Sequence, residues 1–448
     1  MRQINEVFNG ARSVSSLTFK VLATGIVILI LLYPKSKIES LITERASNRT
    51  TAEQEIGEMW GGPQTVKGPV VLVPYWQETH QPDQGQRVKK YTKFLPEHLS
   101  VTGHVGSQEL LRSIYKLIVY QSDLKISGVF RRPDFGKLGI AEQQILWEEA
   151  ILQVSVSDIR SIRENVVMEW SGKGIELESG LTTQELFING LETPIMFPND
   201  DQDMPFSFDL KLNGSESISF LPMAKSTRVA LTSDWSTPSF IGHYLPASRS
   251  LSDNGFSAGW NILSLNRDFP QSWTETSYRL HESAFGVTLF QPVSTYQKTT
   301  RSVKYSMLVI FLTFLVFFII ESLTGSHIHP VQYGMIGLAL ILFYTLLLSL
   351  SEYIVFFQAY LIAALMIIAT ISIYASAVFQ SLKRGFVVAV ITSLLYVFIY
   401  VIIESAQYSL LIGSFGLWLT LAIAMYFSRK IKWNKPHREI IEQTAARG

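Results

Sequence analysis

The stretch WGGPQTVKGPVVLVPY, Trp60–Tyr75, divides this chain into a helical part and a β-rich part. Before it, residues 36–60 place apolar side chains at helical spacing around a polar middle, so we expect a helix that docks on the domain behind it. Gly61 and Gly62 favour the left-handed backbone conformation that ends a helix, and Pro63 cannot continue one. The sequence therefore predicts that a helix stops here.

The second half of the stretch predicts the start of a β-sheet rather than a phosphate-binding loop. Gly68-Pro69 is typical of a turn, Val70–Val73 is typical of a strand, and Pro74 is expected to end that strand or hold it at a sheet edge. A P-loop needs its glycines between a strand and a helix, with its lysine after the last glycine. Lys67 instead precedes a glycine, and the order of elements is reversed, so nucleotide binding is not expected.

The composition is that of a membrane protein. Apolar residues make up 47% of the 448, and charged residues only 17%, against about 25% in soluble proteins. Leu17–Tyr33 follows a basic N-terminus and no cleavage signal follows it, which predicts an uncleaved signal-anchor helix. The alternative is a signal peptide that is removed. Residues 1–35 are thus expected to comprise a cytoplasmic N-terminus and one span.

Apolar segments near the C-terminus predict a five-helix transmembrane bundle over residues 304–428, because each approaches the roughly 20 residues that cross a bilayer. Lysine and arginine are concentrated in the connector at Lys383-Arg384 and in the basic tail, residues 429–448. The positive-inside rule then predicts a multi-pass protein with both termini in the cytoplasm and residues 36–303 in the periplasm. The five predicted spans are Tyr305–Ile320, Val331–Leu350, Ile354–Val378, Phe386–Ile403 and Leu410–Phe427.

Residues 36–303 carry the pattern of a large, mainly-β extracytoplasmic domain behind the leading helix 36–60. Short runs rich in β-branched and aromatic residues recur, and some alternate in polarity, as in Ile151–Val156. Phe206–Leu212 and Ser217–Leu221 flank an Asn-Gly pair, which predicts a β-hairpin. Helical signal is limited to about Ile140–Glu149. We therefore expect a β-sandwich-like domain of antiparallel sheets.

Few residues offer chemistry. The chain has no cysteine, which excludes disulfides and thiolate catalysis, and its net charge of +1 gives no reason to expect nucleic acid binding. His327 and His329, near Glu321, could bind zinc, but no third or fourth ligand is evident, and an interfacial turn is the better interpretation. The acidic segment Asn199–Asp203 lacks the spacing and glycine of a calcium loop, so a solvated turn is expected. We predict no metal, cofactor or catalytic residue.

Two carboxylates, Glu352 and Glu404, follow predicted spans that end on the same side of the membrane. They could form a shared polar mouth, whereas the simpler interpretation places both in water at the interface. No ionisable residue lies near the middle of the last five spans, which argues against an ion- or proton-coupled transporter.

Several long segments, in order along nearly the whole chain, resemble the CreD family of bacterial inner-membrane proteins. The resemblance implies one N-terminal span, a large periplasmic domain and a C-terminal helical bundle. It also implies an association with cell-envelope integrity and with envelope stress under a two-component regulator, but no reaction, cofactor or catalytic residue. The segments that carry it are Ile28–Tyr75, Ser239–Arg249 with Gly255–Trp260 (SFIGHYLPASR and GFSAGW), and His329–Ala364, which begins HPVQYGMIGLAL.

The expected function is that of a non-enzymatic inner-membrane protein that supports envelope integrity or the envelope stress response. Its periplasmic β domain would bind or sense a ligand, and its bundle would anchor that domain. The expected partners are the lipid bilayer and an unidentified periplasmic or membrane partner, with a second copy of the chain as an option. A carrier of lipids or other hydrophobic molecules, and a membrane enzyme that acts on an envelope component, are the alternatives.

Overall fold

The computed structural model describes residues 15–78, 87–112, 115–198, 202–274, 278–289, 295–324, 328–405 and 408–428. The chain divides into two compact units. The helical unit comprises the chain up to Asn48 and again from Val293, and the β unit comprises Arg49–Pro292.

The helices of the described residues differ in length and character. The first is continuous over 46 residues, with Pro34 inside it, and residues 36–60 are therefore helical as predicted. The helices are α1 (Ser15–Trp60), α2 (Thr295–Lys304), α3 (Ser306–Thr324), α4 (Pro330–Ser351), α5 (Phe356–Val378), α6 (Leu382–Glu404) and α7 (Ser409–Ser428).

The strands all belong to the β unit. In chain order they are β1 (Gln64–Glu78), β2 (Arg87–Phe94), β3 (His98–Arg112), β4 (Tyr115–Phe130), β5 (Ile151–Ser155), β6 (Val167–Trp170), β7 (Lys173–Glu176), β8 (Glu178–Ser179), β9 (Leu191–Pro194), β10 (Met204–Ser215), β11 (Ser217–Phe220), β12 (Ser226–Ser233), β13 (Pro238–Gly242), β14 (Ser248–Ser252), β15 (Gly255–Leu263), β16 (Ser272–Trp273) and β17 (Phe285–Leu289).

These strands form two mixed sheets. The nine-stranded sheet has the order β13-β17-β11-β1-β5-β9-β8, with β2 paired to β1 and β16 paired to β2. The eight-stranded sheet has the order β14-β15-β12-β3-β4-β10-β6-β7. One apolar core draws on both sheets, with Val71 and Leu152 from the first and Ile126 and Leu210 from the second. The expectation of purely antiparallel sheets is wrong, because β1 pairs with β11, and β3 with β12, in parallel.

The junction after α1 has the positive φ that a glycine at this position allows. The N–H of Gly61 donates to the carbonyl of Gly57 at 2.9 Å, closing the last turn, and Gly61 has a φ of +117°. The strand β1 then begins at Gln64. The helix-to-strand boundary predicted from the sequence is confirmed, and Gly61 is the residue whose positive φ makes it.

The prediction that Pro74 ends a strand or lies at an edge is wrong. β1 runs through Pro74 to Glu78, and it is an interior strand with β5 on one side and β11 and β2 on the other. The ladder to β5 has already ended at Leu72. Beyond it the carbonyl of Pro74 accepts from the Leu146 N–H at 2.9 Å, outside any named strand. Proline is tolerated here because no sheet ladder requires its missing N–H.

The predicted hairpin around Asn213-Gly214 is also wrong. β10 pairs with β4 and β6 in the eight-stranded sheet, whereas β11 pairs with β1 and β17 in the nine-stranded sheet. The chain changes sheets at Glu216, which has a φ of +61°. The helix expected over Ile140–Glu149 consists only of short 3₁₀ turns, Glu142–Gln144 and Trp147–Glu149.

Three helices among the described residues are long and apolar enough to cross a membrane: α4, α5 and α6. A fourth span results only if α2 and α3 are one span bent by 43°. The prediction of five C-terminal spans is therefore wrong, because the described residues contain three such helices, or four with the bent pair. The predicted span Leu17–Tyr33 lies in α1, and its crossing of the membrane stays a prediction.

Candidate functional site

The candidate site is the end of the helical unit at which α4 and α6 finish, which we call the glutamate end. Glu352 follows the last residue of α4, and Glu404 is the last residue of α6. The short helix α2 contacts both carboxylates. The Tyr296 hydroxyl donates to Glu352 Oε1 at 3.2 Å, and Lys298 Nζ donates to the two oxygens of Glu404 at 3.0 and 2.9 Å.

The face of α2 that makes these contacts is set by its amphipathic pattern. Tyr296, Thr299 and Val303 recur at helical spacing and are buried, and α2 packs against α4 and α6. Lys298 lies on an adjoining face, with Nζ 5.5 Å from the centre of the Phe356 ring. This distance is within the range of a cation–π contact, so the ammonium is held by a carboxylate and an aromatic ring together.

A third element, α1, reaches the same end. Arg45 Nε lies 3.9 Å from Glu352 Oε1. The Glu352 side chain is 11% exposed, whereas that of Glu404 is 50% exposed. The interpretation of both carboxylates as interfacial groups in water thus suits Glu404 and does not suit Glu352. A carboxylate as buried as Glu352 needs its partners, because an unpaired buried charge is costly.

These contacts hold helices together. They contain no catalytic arrangement of nucleophile and base. An exposed pair such as Lys298–Glu404 contributes about 0.2–1 kcal/mol. A largely buried carboxylate contributes more when it is satisfied and costs more when a partner is removed. Glu352 is therefore the residue through which α1 and α2 depend on the end of α4.

The histidine-rich connector before α4 has a structural role. His329 Nδ1 accepts from the Val331 N–H at 3.3 Å, and Gln332 Oε1 accepts from the His329 N–H at 2.9 Å, which together cap α4. Glu321 is buried and accepts from the Tyr333 hydroxyl at 3.0 Å and from the Ile328 N–H at 3.1 Å. His327 lies outside the described residues, within which no three metal-ligating side chains come together.

The acidic segment is only partly described. Residues 199–201 lie outside the description, and Asp203 accepts from Arg131 Nε at 3.3 Å. Both residues of this pair are more than half exposed, so it is a surface contact with little influence on stability.

The bundle also contains an aromatic cluster that the sequence did not single out. Phe343 packs against Tyr344, Tyr360 and Tyr396, with ring centres 4.7 to 5.3 Å apart. The Tyr360 hydroxyl donates to the Tyr396 carbonyl at 2.7 Å, whereas the hydroxyls of Tyr344 and Tyr396 are buried without a partner in the described part of the chain. Tyrosines in the middle of apolar spans were the available signal, since a buried hydroxyl needs a partner.

Comparison with known proteins shows what this chain is similar to. Residues 16–434 match the family described as "Inner membrane protein CreD". The chain is also 32% identical over 429 residues to the "Inner membrane protein CreD" of Escherichia coli (strain K12), an alignment that covers 94% of each protein.

Proposed function

Because this chain belongs to the CreD family of inner membrane proteins, we propose that it is a non-enzymatic membrane protein that supports cell-envelope integrity. In this proposal the β unit binds a component of the periplasm, and the helical unit responds to that binding. The partner is a component of the envelope, and the bilayer is the medium of the apolar helices α4, α5 and α6.

The observation that carries the proposal is the convergence on Glu352. The helix α1 continues beyond Asn48 into the β unit, and α2 begins shortly after the β unit ends at Pro292. These are the two segments of chain that connect the units. Both contact the same buried carboxylate, α1 through Arg45 and α2 through Tyr296. A change in either connecting helix therefore changes the partners of one charged group, which is a physical means of transmission.

The proposed orientation places the glutamate end in the periplasm and both termini in the cytoplasm. The first turn of α6 carries Lys383 and Arg384, and it lies at the opposite end of that helix from Glu404. Basic residues in short loops favour the cytoplasmic side. A reporter inserted near Asn213 in the β unit should accordingly be active only in the periplasm, and cytoplasmic activity would contradict this orientation.

The decisive experiment compares two arginines of α1. Arg45→Met removes the contact from α1 to Glu352, whereas Arg49→Met, one turn later, removes a pair with Glu53 on the same helix at 2.8 Å and leaves the Glu352 contact in place. In a strain that lacks the protein, each variant is expressed at matched abundance and survival under envelope stress is measured. We expect Arg45→Met to lose protection and Arg49→Met to retain it.

Two results would contradict the proposal. If Arg45→Met protects as well as the unaltered protein at equal abundance, the convergence on Glu352 has no role in function. If the purified protein turns over an envelope lipid or glycan, the non-enzymatic assignment is wrong. A cross-linked pull-down from native membranes would identify the partner, and the absence of cysteine allows single cysteines to be introduced as cross-linking sites.

A further inference from the structure

The first half of α1 lies along α4 in a parallel register. A Cβ atom added to Gly337 would lie 2.2 Å from Leu31 Cδ1, so the Leu31 side chain rests directly against this glycine. Fourteen residues later on α1, Arg45 reaches Glu352 at the end of α4. At a rise of about 1.5 Å per residue, Lys37 therefore lies about 12 Å short of the glutamate end, beside the apolar length of α4.

Around Lys37, α1 has a polar face, whereas the helix α4 beside it is apolar. Between Pro34 and Arg49 the exposed residues of α1 recur every three or four positions, as on one side of a helix. They are Ser36, Lys37, Ser40, Thr43, Glu44, Ser47 and Asn48. The exposed positions of α4 alongside are apolar, with Leu338 and Leu342 about half exposed. Polar side chains beside the membrane-spanning helix α4 are costly in the hydrocarbon core of a bilayer. This polar face of α1 therefore indicates a functional site.

The two lysines of this segment have different surroundings. Lys35 Nζ pairs with Glu39 on the next turn at 2.9 Å. Lys37 is exposed and rests 5.7 Å from the centre of the Tyr33 ring. Among the described residues Lys37 has no carboxylate partner, so its charge lacks a counter-ion that the protein itself could supply.

An apolar groove opens beside Lys37. It has a volume of about 670 Å³ and lies between α1, α4 and α5, all within the helical unit. This size is that of a small-ligand site, for which volumes of about 300–1,000 Å³ are usual. Its walls are apolar apart from Lys37 and a few hydroxyls, and they include Met335, Leu342 and Ile371.

We propose that this groove binds an anionic phospholipid, with its phosphate on Lys37 and an acyl chain along the apolar walls that α1, α4 and α5 form. The charge of Lys37 selects an anion, and the apolar walls select a chain that avoids water. The open side of the groove gives access from the bilayer, and the polar face of α1 accommodates the headgroup. This site lies in the helical unit alone and does not depend on the function proposed above.

The test compares lipid retention by the intact protein in nanodiscs of phosphatidylglycerol and phosphatidylcholine, read by native mass spectrometry after extraction. The unaltered protein should retain phosphatidylglycerol in preference. Lys37→Gln should reduce that preference about fivefold, the effect of one basic residue near an anionic lipid. The matched control is Lys35→Gln, two residues away on the same helix, which removes a lysine that already has a partner and should leave the preference unchanged.

A second variant tests the groove itself. Leu342→Trp fills the groove from a half-exposed position, so it should reduce retention of both lipids while leaving the melting temperature unchanged. If Leu342→Trp lowers the melting temperature, Met335→Trp on the same wall replaces it. Equal retention of the two lipids by the unaltered protein overturns the proposal. So does an equal loss in Lys35→Gln and Lys37→Gln, which would indicate general surface charge.

Discussion

The junction between α1 and β1 contains two adjacent glycines, and substitution by alanine is expected to affect stability differently at each. Gly61 has a φ of +117°, and a Cβ there would lie 2.9 Å from the Asn213 carbonyl oxygen and 3.0 Å from Ser161 Cβ. At Gly62 the φ is not in the left-handed region, and no atom lies within 4 Å of a new Cβ. The pair Gly61→Ala and Gly62→Ala thus places the same methyl group in two different environments.

The magnitudes follow from backbone strain and crowding. A residue other than glycine held at such a φ costs about 1–3 kcal/mol, and forcing a contact in a packed region costs about 1–3 kcal/mol more. The loss of unfolded-state freedom returns about 0.4–1 kcal/mol in either variant. We therefore expect Gly61→Ala to lower the free energy of unfolding by about 3 kcal/mol. Gly62→Ala should leave it unchanged or raise it by less than about 1 kcal/mol.

The assay is thermal unfolding of the full-length protein in detergent, followed by tryptophan fluorescence. Seven of the nine tryptophans fall within residues 49–292, so the signal reports mainly on the β unit. For a domain of this size about 2–4 °C of melting temperature corresponds to 1 kcal/mol, so Gly61→Ala should melt about 6–12 °C lower. Equal melting temperatures for the two variants would refute the assignment of this junction to the backbone of Gly61.

Three further substitutions in the β unit have effects that follow from the same structure. Partial desolvation, and to a lesser extent the nearby Glu53, raise the pKa of the exposed residue Glu216. Its contribution to stability is therefore complete below the ordinary value of 4.5 and is lost as the pH rises through the folded value. Glu216→Gln should therefore raise the melting temperature near neutral pH and not below pH 4.5; a gain of equal size at both would contradict this. Lys93, 5% exposed, donates to the Tyr91 and Thr274 carbonyls at 3.1 and 2.8 Å and pairs with Glu185. Lys93→Met should cost about 1–3 kcal/mol in chemical denaturation because two carbonyls lose their donor, and Glu185→Gln, at a half-exposed partner, should cost less.

Local sequence signals predicted where helices and strands lie better than they predicted which strands pair with each other. The glycine-rich junction and the three long apolar helices α4, α5 and α6 follow from backbone chemistry and hydropathy, which act over a few residues. The Asn-Gly pair at residues 213–214 is a strong hairpin signal, yet the two strands join different sheets. The long, twelve-residue register of β10 with β4 outweighs any preference of the turn. Sheet order depends on such distant pairings, which periodicity does not encode.

The sequence likewise predicted one part of the candidate site and not the other. The sequence placed Glu352 and Glu404 at one end of the bundle because spans of known direction determine where their ends lie. It did not supply the partners Arg45, Tyr296 and Lys298, since each is more than 50 residues from its carboxylate along the chain. Helical spacing relates residues three or four apart, and contacts between helices depend on a packing register that the pattern leaves open.

The helix α1 continues past the point at which its apolar pattern ends. The apolar pattern ends at Pro34, and a polar sequence after a span is usually taken as the membrane boundary. The helix nevertheless continues, and it remains part of the helical unit as far as Asn48. Its polar face lies beside apolar helices, where Leu31 rests against Gly337 of α4 and Arg45 pairs with Glu352 at the far end of that helix. One helix thus supplies both the arm that reaches Glu352 and the lysine that faces the groove. The lipid site that we propose at Lys37 and the contact at Arg45 therefore lie on one continuous helix, about two turns apart.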